Sequence, residues 1–282
     1  MTFRSAVSTE VETETETETV TAAIEAARAA GSALEALDDP PTARPDEVTV
    51  TDVVTEASQD AADELVDVLE TAFPDDAIYI QETLVHGESG TERAWVCDPL
   101  DGISQFAANG DEYAVSIALF DETAPILGVV YLPARDDLYT GVDGGDARKN
   151  GREVTTSDRR RLQTSTCVSG FDLGGRFLRG LEERGAAVVR QESAAVNLCA
   201  LATGAADVVW EYDSYPWDVA GGLVVAEAAG AVAMDTAGNQ FVPDRHPSRD
   251  HLPLLATTPA LEADVREYAS AFVREERDAT DD

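Results

Sequence analysis

Asp98 and Asp101, in the stretch Asp98-Pro99-Leu100-Asp101-Gly102, are two carboxylates set a short turn apart where the apolar run Ala94-Trp95-Val96-Cys97 ends. A continuous apolar run of this kind reads as a buried strand, and Asp, Pro and Gly are residues that turn a chain. Two acids are therefore presented together at a strand end. Glu82, closing the strand-like stretch from Asp76, supplies a third at the end of the preceding strand. Clustered carboxylates repel one another, and an all-oxygen donor set is best neutralised by a hard cation such as Mg²⁺ or Mn²⁺. Such an ion binds phosphate oxygens and activates water, so the chemistry implied is hydrolysis of a phosphate ester. Gly102 lets backbone amides approach a phosphate without a basic side chain. Taken alone, the turn also suits a solvated surface loop.

A second stretch, Trp210 to Val232, raises the weight of the first. Asp218 follows Trp217 and opens an apolar helix carrying paired Gly221 and Gly222, small residues that permit close packing. Helix N-capping is the simpler use for an aspartate in that place.

The elements that must position these acids follow from periodicity. Val20 to Leu37, with Ile24, Ala27, Leu34 and Leu37 on one face, predicts an amphipathic helix stopped by Asp39-Pro40-Pro41. From Val48 an extended segment should lead into a helix over about Ser58 to Thr71. Tyr113–Phe120 and Ala124–Pro133 alternate or run apolar around Asp121-Glu122, as an antiparallel hairpin would. After Arg159 to Arg161, a solvated basic turn, short strands alternate with helices, the pattern of a layered α/β unit. The chain opens on an acidic Thr/Glu-rich segment, 1–19, expected to be a solvated arm or a frayed helical turn. It ends on an acidic tail, 273–282, with one catalytic domain of two lobes, about 20–150 and 151–272, between them.

Composition narrows the partners. The chain carries 20 basic and 55 acidic residues, a formal net charge of −35, which argues against a nucleic-acid or anionic-membrane surface. Lys149 is its one lysine, and the acids are spread along its length, the pattern of a salt-adapted surface destabilised in dilute buffer. Cys97, Cys167 and Cys199 lack paired spacing and read as reduced core residues of a cytoplasmic protein. His86, His246 and His251 are dispersed in polar segments and read as surface residues.

The two acid-bearing stretches together resemble the inositol monophosphatase family of Mg²⁺-dependent, lithium-sensitive sugar phosphatases. One signature stands as Trp95-Val96-Cys97-Asp98-Pro99-Leu100-Asp101-Gly102-Ile103, another as Trp217-Asp218-Val219-Ala220-Gly221 with Glu227-Ala228-Ala229-Gly230. Ser193 to Glu211, Asp52 to Glu56 and Leu127 to Pro133 agree in order and spacing, so the likeness covers about Val20 to Asp235. The resemblance implies an α/β protein of the layered αβαβα sugar-phosphatase fold, with an N-terminal α+β lobe and a C-terminal α/β lobe around one cleft. It implies Glu82, Asp98, the Leu100 carbonyl, Asp101 and Asp218 as metal ligands, with Glu82, Asp98 and Asp101 catalytic. Gly102, Ile103, Ser193, Ala194 and Glu211 would contact substrate, and Asp207 would support the hydroxyl pocket. The implied reaction is in-line attack on a small sugar or inositol phosphomonoester by metal-activated water, in a homodimer.

Several positions depart from the family pattern. Ile103 replaces a Thr or Ser that orients water, and Ser104 beside it is expected to point elsewhere. Thr83 and Ser58 replace acids, Glu47 falls near a common lysine, and Glu192 stands where Gly is usual, beside the phosphate pocket. Glu88 is an alternative to Glu82 as ligand. Ile103 and Glu192 favour a catalytically weakened metal- and phosphate-binding regulatory homologue as the alternative class, and the resemblance itself leaves fructose-1,6-bisphosphatase-type activity as the alternative substrate reading.

Overall fold

The computed structural model describes residues 3–36, 50–170, 172, 175–248, 251 and 253–280. Two helices, α1 (Phe3–Ala36) and α2 (Val50–Ala72), pack on one face of a large sheet. Their contact faces are built from small residues: Ala23, Ala26, Ala27, Ala30 and Leu34 on α1, and Ala57, Ala61, Leu65 and Leu69 on α2, all fully buried. The i, i+4 spacing of the α2 set makes one stripe, and alanines let the two helices approach closely. Ile24 packs at the edge of this core. Both helices start earlier than periodicity alone predicts. The Thr/Glu run continues α1 because extending a packed helix costs far less than nucleating one, and the segment expected to be extended before Ser58 is helical from Val50. Leu37, Asp39 to Pro41 and Glu47 lie outside the described residues.

The large sheet has eight strands: β1 (Ala77–Ile80), β2 (Thr83–His86), β3 (Ala94–Asp101), β4 (Ala114–Phe120), β5 (Pro125–Leu132), β6 (Asp137–Val142), β7 (Ala147–Lys149) and β8 (Arg152–Glu153), in the order β2-β1-β3-β4-β5-β6-β7-β8. Only β1 and β3 are parallel; the expected β4–β5 hairpin is antiparallel. Every residue of β3 and β4 is buried, since helices cover both faces, and this is why these strands read as continuous apolar runs.

The second sheet comprises β9 (Thr166–Ser169), β10 (Ala187–Arg190), β11 (Val208–Glu211), β12 (Val232–Met234) and β13 (Leu254–Thr257), ordered β10-β9-β11-β13-β12. Between the sheets lie α5 (Ala194–Ala202) and α6 (Pro216–Ala228), sealed into one core with Val130, Leu132, Val168, Val209 and Leu254. Helices α4 (Arg176–Glu183) and α7 (Glu262–Thr280) cover the outer face of the second sheet; the short α3 (Ile103–Ala107) follows β3. The layers are therefore helix, sheet, helix, sheet, helix. Strand β13 and the full length of α7, which runs through the expected tail to Thr280, are elements that periodicity did not disclose.

Helix α6 is apolar all round, as a helix between two sheets must be. Glycines let it press against its neighbours. A Cβ on Gly221 would stand 2.7 Å from Ser116 Oγ, and one on Gly222 2.9 Å from Leu198 Cβ. Gly128 of β5 answers from the other side, where a Cβ would fall 2.2 Å from the Gly221 carbonyl oxygen. The three cysteines are buried and unpaired. Among the described residues no helix is long and apolar enough to cross a membrane.

Candidate active site

The C-terminal end of β3 carries Asp98 and Asp101 inward, 3% and 8% exposed. Its pairing with β4 is interrupted between them, so both side chains leave the ladder near one another. The Leu100 N–H turns back to donate to Asp98 Oδ1 at 3.1 Å. Gly102 then adopts φ 88°, a conformation open chiefly to glycine, and a Cβ there would meet the Glu112 carbonyl oxygen at 2.9 Å. The DPLDG turn is thus a buried structure at a strand end.

Asp101 joins the two halves of the chain. Its Oδ2 accepts from Ser193 Oγ at 2.6 Å and from the Ala195 N–H at 2.8 Å. Ser193 caps α5, its Oγ also accepting from the Val196 N–H at 3.2 Å, so the carboxylate lies at the positive end of that helix. Asp218 arrives from α6. It sits in the first turn, where its Oδ2 accepts from the Tyr215 N–H at 2.8 Å; Tyr215 is the capping residue, so Asp218 itself is not.

These aspartates converge on a cleft of about 510 Å³ that Glu82, Leu100, Gly102, Ile103 and Glu192 also line. Glu82 is not at a strand end, as expected, but in the tight turn between β1 and β2, because Gln81 takes a left-handed conformation (φ 52°) that breaks the strand. Glu88 is exposed and does not line the cleft, and neither do Thr83 and Ser58. Ser104 does line it, contrary to expectation, because the chain coils into α3 immediately after Gly102. Ile103 is half exposed at the same mouth.

A smaller cavity of about 270 Å³ continues the cleft past Asp101, Asp218 and Glu192 to Ala194 and Glu211. Glu211, at the end of β11 and 4% exposed, accepts from Asn197 Nδ2 at 2.6 Å and from the Gly170 N–H at 3.1 Å. Asp207 does not belong here. It is fully buried at the start of β11, where Arg159 (2.8 Å), Ser157 and the Thr166 N–H (2.7 Å) hold it, and Arg159 is an anchor instead of a solvated turn residue. None of the three histidines lines either cavity. Residues unforeseen from the sequence are Gln81, whose side chain bonds Asp98, and Asn197, which orients Glu211. Asn197 lies four residues after Ser193, on the helix turn below it, which is the one sequence signal that pointed there.

Electrostatically the cleft is short of positive charge. No lysine or arginine among the described residues lines either cavity. Burial pushes Asp98 up to about 6, against the opposing hydrogen bonds from Leu100, Asp218 and Gln81. Burial first, and then the charge of Asp98, push Asp101 to about 7, and burial with both neighbouring aspartates takes Asp218 well above the ordinary range. Glu211 is pushed by burial to about 8. Among the described residues no three or more His, Cys, Asp or Glu stand close enough together as they are to hold a metal ion; Asp98 and Asp218 are hydrogen-bonded to each other instead. A hard divalent cation fits this donor set, since it would supply the charge that the lining lacks and replace the shared proton.

A model of the inositol monophosphatase family matches residues 15–270. The chain belongs to the inositol monophosphatase family. An inositol-1-monophosphatase of Mesorhizobium japonicum is 34% identical over 202 residues, 68% of this chain and 76% of that one. The fructose-1,6-bisphosphatase/inositol-1-monophosphatase of Aquifex aeolicus is 32% identical over 189 residues, 64% and 71% of the two chains. The Nus factor SuhB of Haemophilus influenzae is 32% identical over 202 residues, 68% and 76%. Among solved structures, the inositol monophosphatase of Anabaena superposes with a TM-score of 0.76 at 27% identity, covering 90% of this chain and 95% of its own. The family match spans both acid-bearing stretches and both sheets.

Proposed function

We propose that the protein is a Mg²⁺-dependent phosphatase acting on a small sugar or inositol phosphomonoester. The observation that carries this reading is the convergence of the buried Asp98 and Asp101 and of Asp218, from two halves of the chain, on one cleft that no basic side chain lines among the described residues. Glu82, Asp98, the Leu100 carbonyl, Asp101 and Asp218 would hold the metal, for which Mn²⁺ is an alternative. When bound, that metal supplies charge neutralisation for the phosphate and polarisation of the attacking water. The chain's own residues do the rest. The Ile103 amide, at the left-handed turn that starts α3, would serve the phosphate together with that of Gly102, which here donates to Asp101, and Ser193 holds Asp101 in place from beneath. Ser104 stands where a hydroxyl can orient water, a role that Ile103 cannot fill. Glu211, fixed by Asn197, is aimed at a sugar hydroxyl in the second cavity.

The test is phosphate release from inositol and sugar monophosphates in molar salt, with and without Mg²⁺. We expect metal-dependent turnover that Asp98→Asn lowers by at least about 10³-fold, the scale of losing a preorganised charged group. Turnover equal in the variant and the parent would sink the reading. A regulatory, non-catalytic role is the second reading, favoured by Ile103 at the cleft mouth and by relatives named Nus factor SuhB. A folded chain that binds Mg²⁺ and releases no phosphate would select it.

A further inference from the structure

The cleft is two cavities in series, and Glu192 stands at their junction, lining both. It is exposed, one residue before the α5 cap, at the position where the family pattern has glycine. Five of the eight residues around the second cavity are acids and none is basic. Their charges are not equivalent. Asp101 and Asp218 belong to the metal-binding set, Glu211 is held by Asn197 and Gly170, and Asp213 is paired with His251. Among the described residues Glu192 has no hydrogen-bond or ion-pair partner. It is the uncompensated negative charge facing whatever part of a substrate extends beyond the reacting phosphate.

We propose that Glu192 is a specificity-determining residue that admits phosphomonoesters whose remainder is a neutral polyol and rejects those bearing a second phosphate. This rests on the cleft being the phosphatase site described above. A polyol hydroxyl can donate to the carboxylate, whereas a second phosphate brings about 1.5 to 2 further negative charges against it. Like charges brought together where no basic side chain among the described residues lies between them discriminate by tenfold or more. The inference therefore separates two substrate classes that the family relatives leave together.

The experiment compares substrates that differ only by the second phosphate: inositol 1-phosphate with inositol 1,4-bisphosphate, and fructose 1-phosphate with fructose 1,6-bisphosphate. The full chain, Glu192→Gln and Glu192→Gly are assayed with Mg²⁺ for kcat and KM, and binding of the same compounds is followed by calorimetry. The parent should prefer the monophosphate of each pair at least tenfold, and both variants should lower that preference about tenfold, chiefly through KM. Raising the salt should shrink the parent's preference and leave the variants' nearly level, which a purely structural role would not do. A parent that takes both members of a pair equally, a ratio unmoved in both variants, or no binding of either member overturns the assignment. Absence of turnover with the binding preference intact and lost in the variants would uphold Glu192 and overturn the phosphatase reading alone.

Discussion

Ser193→Ala removes a single oxygen from a fully buried position, and its cost can be worked from two bonds. The hydroxyl donates to Asp101 at 2.6 Å across the two halves of the chain, and it accepts from the Val196 N–H as the α5 cap. Losing the cap costs about 1 kcal/mol. Losing a hydrogen bond to a charged group costs about 1.5–3 kcal/mol. The Ala195 N–H still serves Asp101, so the sum is not enlarged by a wholly orphaned carboxylate. The expected loss is therefore about 2.5–4 kcal/mol, or a Tm lower by about 4–8 °C for a chain of this size. Thermal unfolding at pH 8 in molar KCl reads it directly. The attribution is checked in an Asp101→Ala background, where Ser193→Ala should cost only the cap, so that the two changes are non-additive by about 1 kcal/mol or more. A loss below about 0.5 kcal/mol, or the same loss in both backgrounds, would refute the idea that this hydroxyl ties the lobes together through Asp101.

Other consequences follow from the same geometry. Glu211, pushed by burial from 4.5 to about 8, binds a proton in the folded chain that the unfolded chain has already released. Its contribution is complete below about pH 4.5 and is lost as pH rises towards 8, so Glu211→Gln should flatten that part of a stability profile measured by chemical denaturation. A variant whose profile parallels the parent's would contradict this. Gly128→Ala would drive a Cβ to 2.2 Å from the Gly221 carbonyl and force α6 off β5, for which we expect about 3 kcal/mol or more of lost stability in a guanidinium titration. With a net charge of −35, the melting temperature should rise from dilute buffer to molar KCl, and a curve that does not move refutes salt adaptation.

The parts of this protein legible in its sequence are those where one strong local pattern settles the outcome. The apolar run into Asp98 and Asp101 reads as a buried strand and is one, and the glycine pair reads as a place of close packing in α6 and serves as one. The missed parts depend on contacts that sequence does not display. Glu82 lies at a turn because Gln81 adopts a left-handed backbone, which for glutamine no propensity rule anticipates. Ser104 lines the cleft because the chain coils into a short helix directly after Gly102. The resemblance put Asp207 beside the hydroxyl pocket, yet it lies at the opposite end of β11 from Glu211, where an arginine from a distant turn makes it structural. Strand β13 escaped notice because its short run becomes a strand only by pairing between β11 and β12.

The distribution of these acids bears on whether the cleft is maintained for chemistry. Burying Asp98, Asp101 and Asp218 together works against the folded state, because each is desolvated and each raises the proton affinity of the others. A scaffold with no use for a cation would be more stable with neutral groups in at least one of these places. Instead all three are kept, and the chain devotes a helix cap, two backbone amides and an inter-helix glycine contact to holding them. The acids also come from opposite halves of the chain, so a bound cation would join β3 to α6 at the point where their own charges push them apart. Metal binding and closure of the two halves would in this way be one equilibrium, and Ile103 and Glu192, which stand at the mouth and are no part of the acid cluster, could alter substrate choice without altering that cluster.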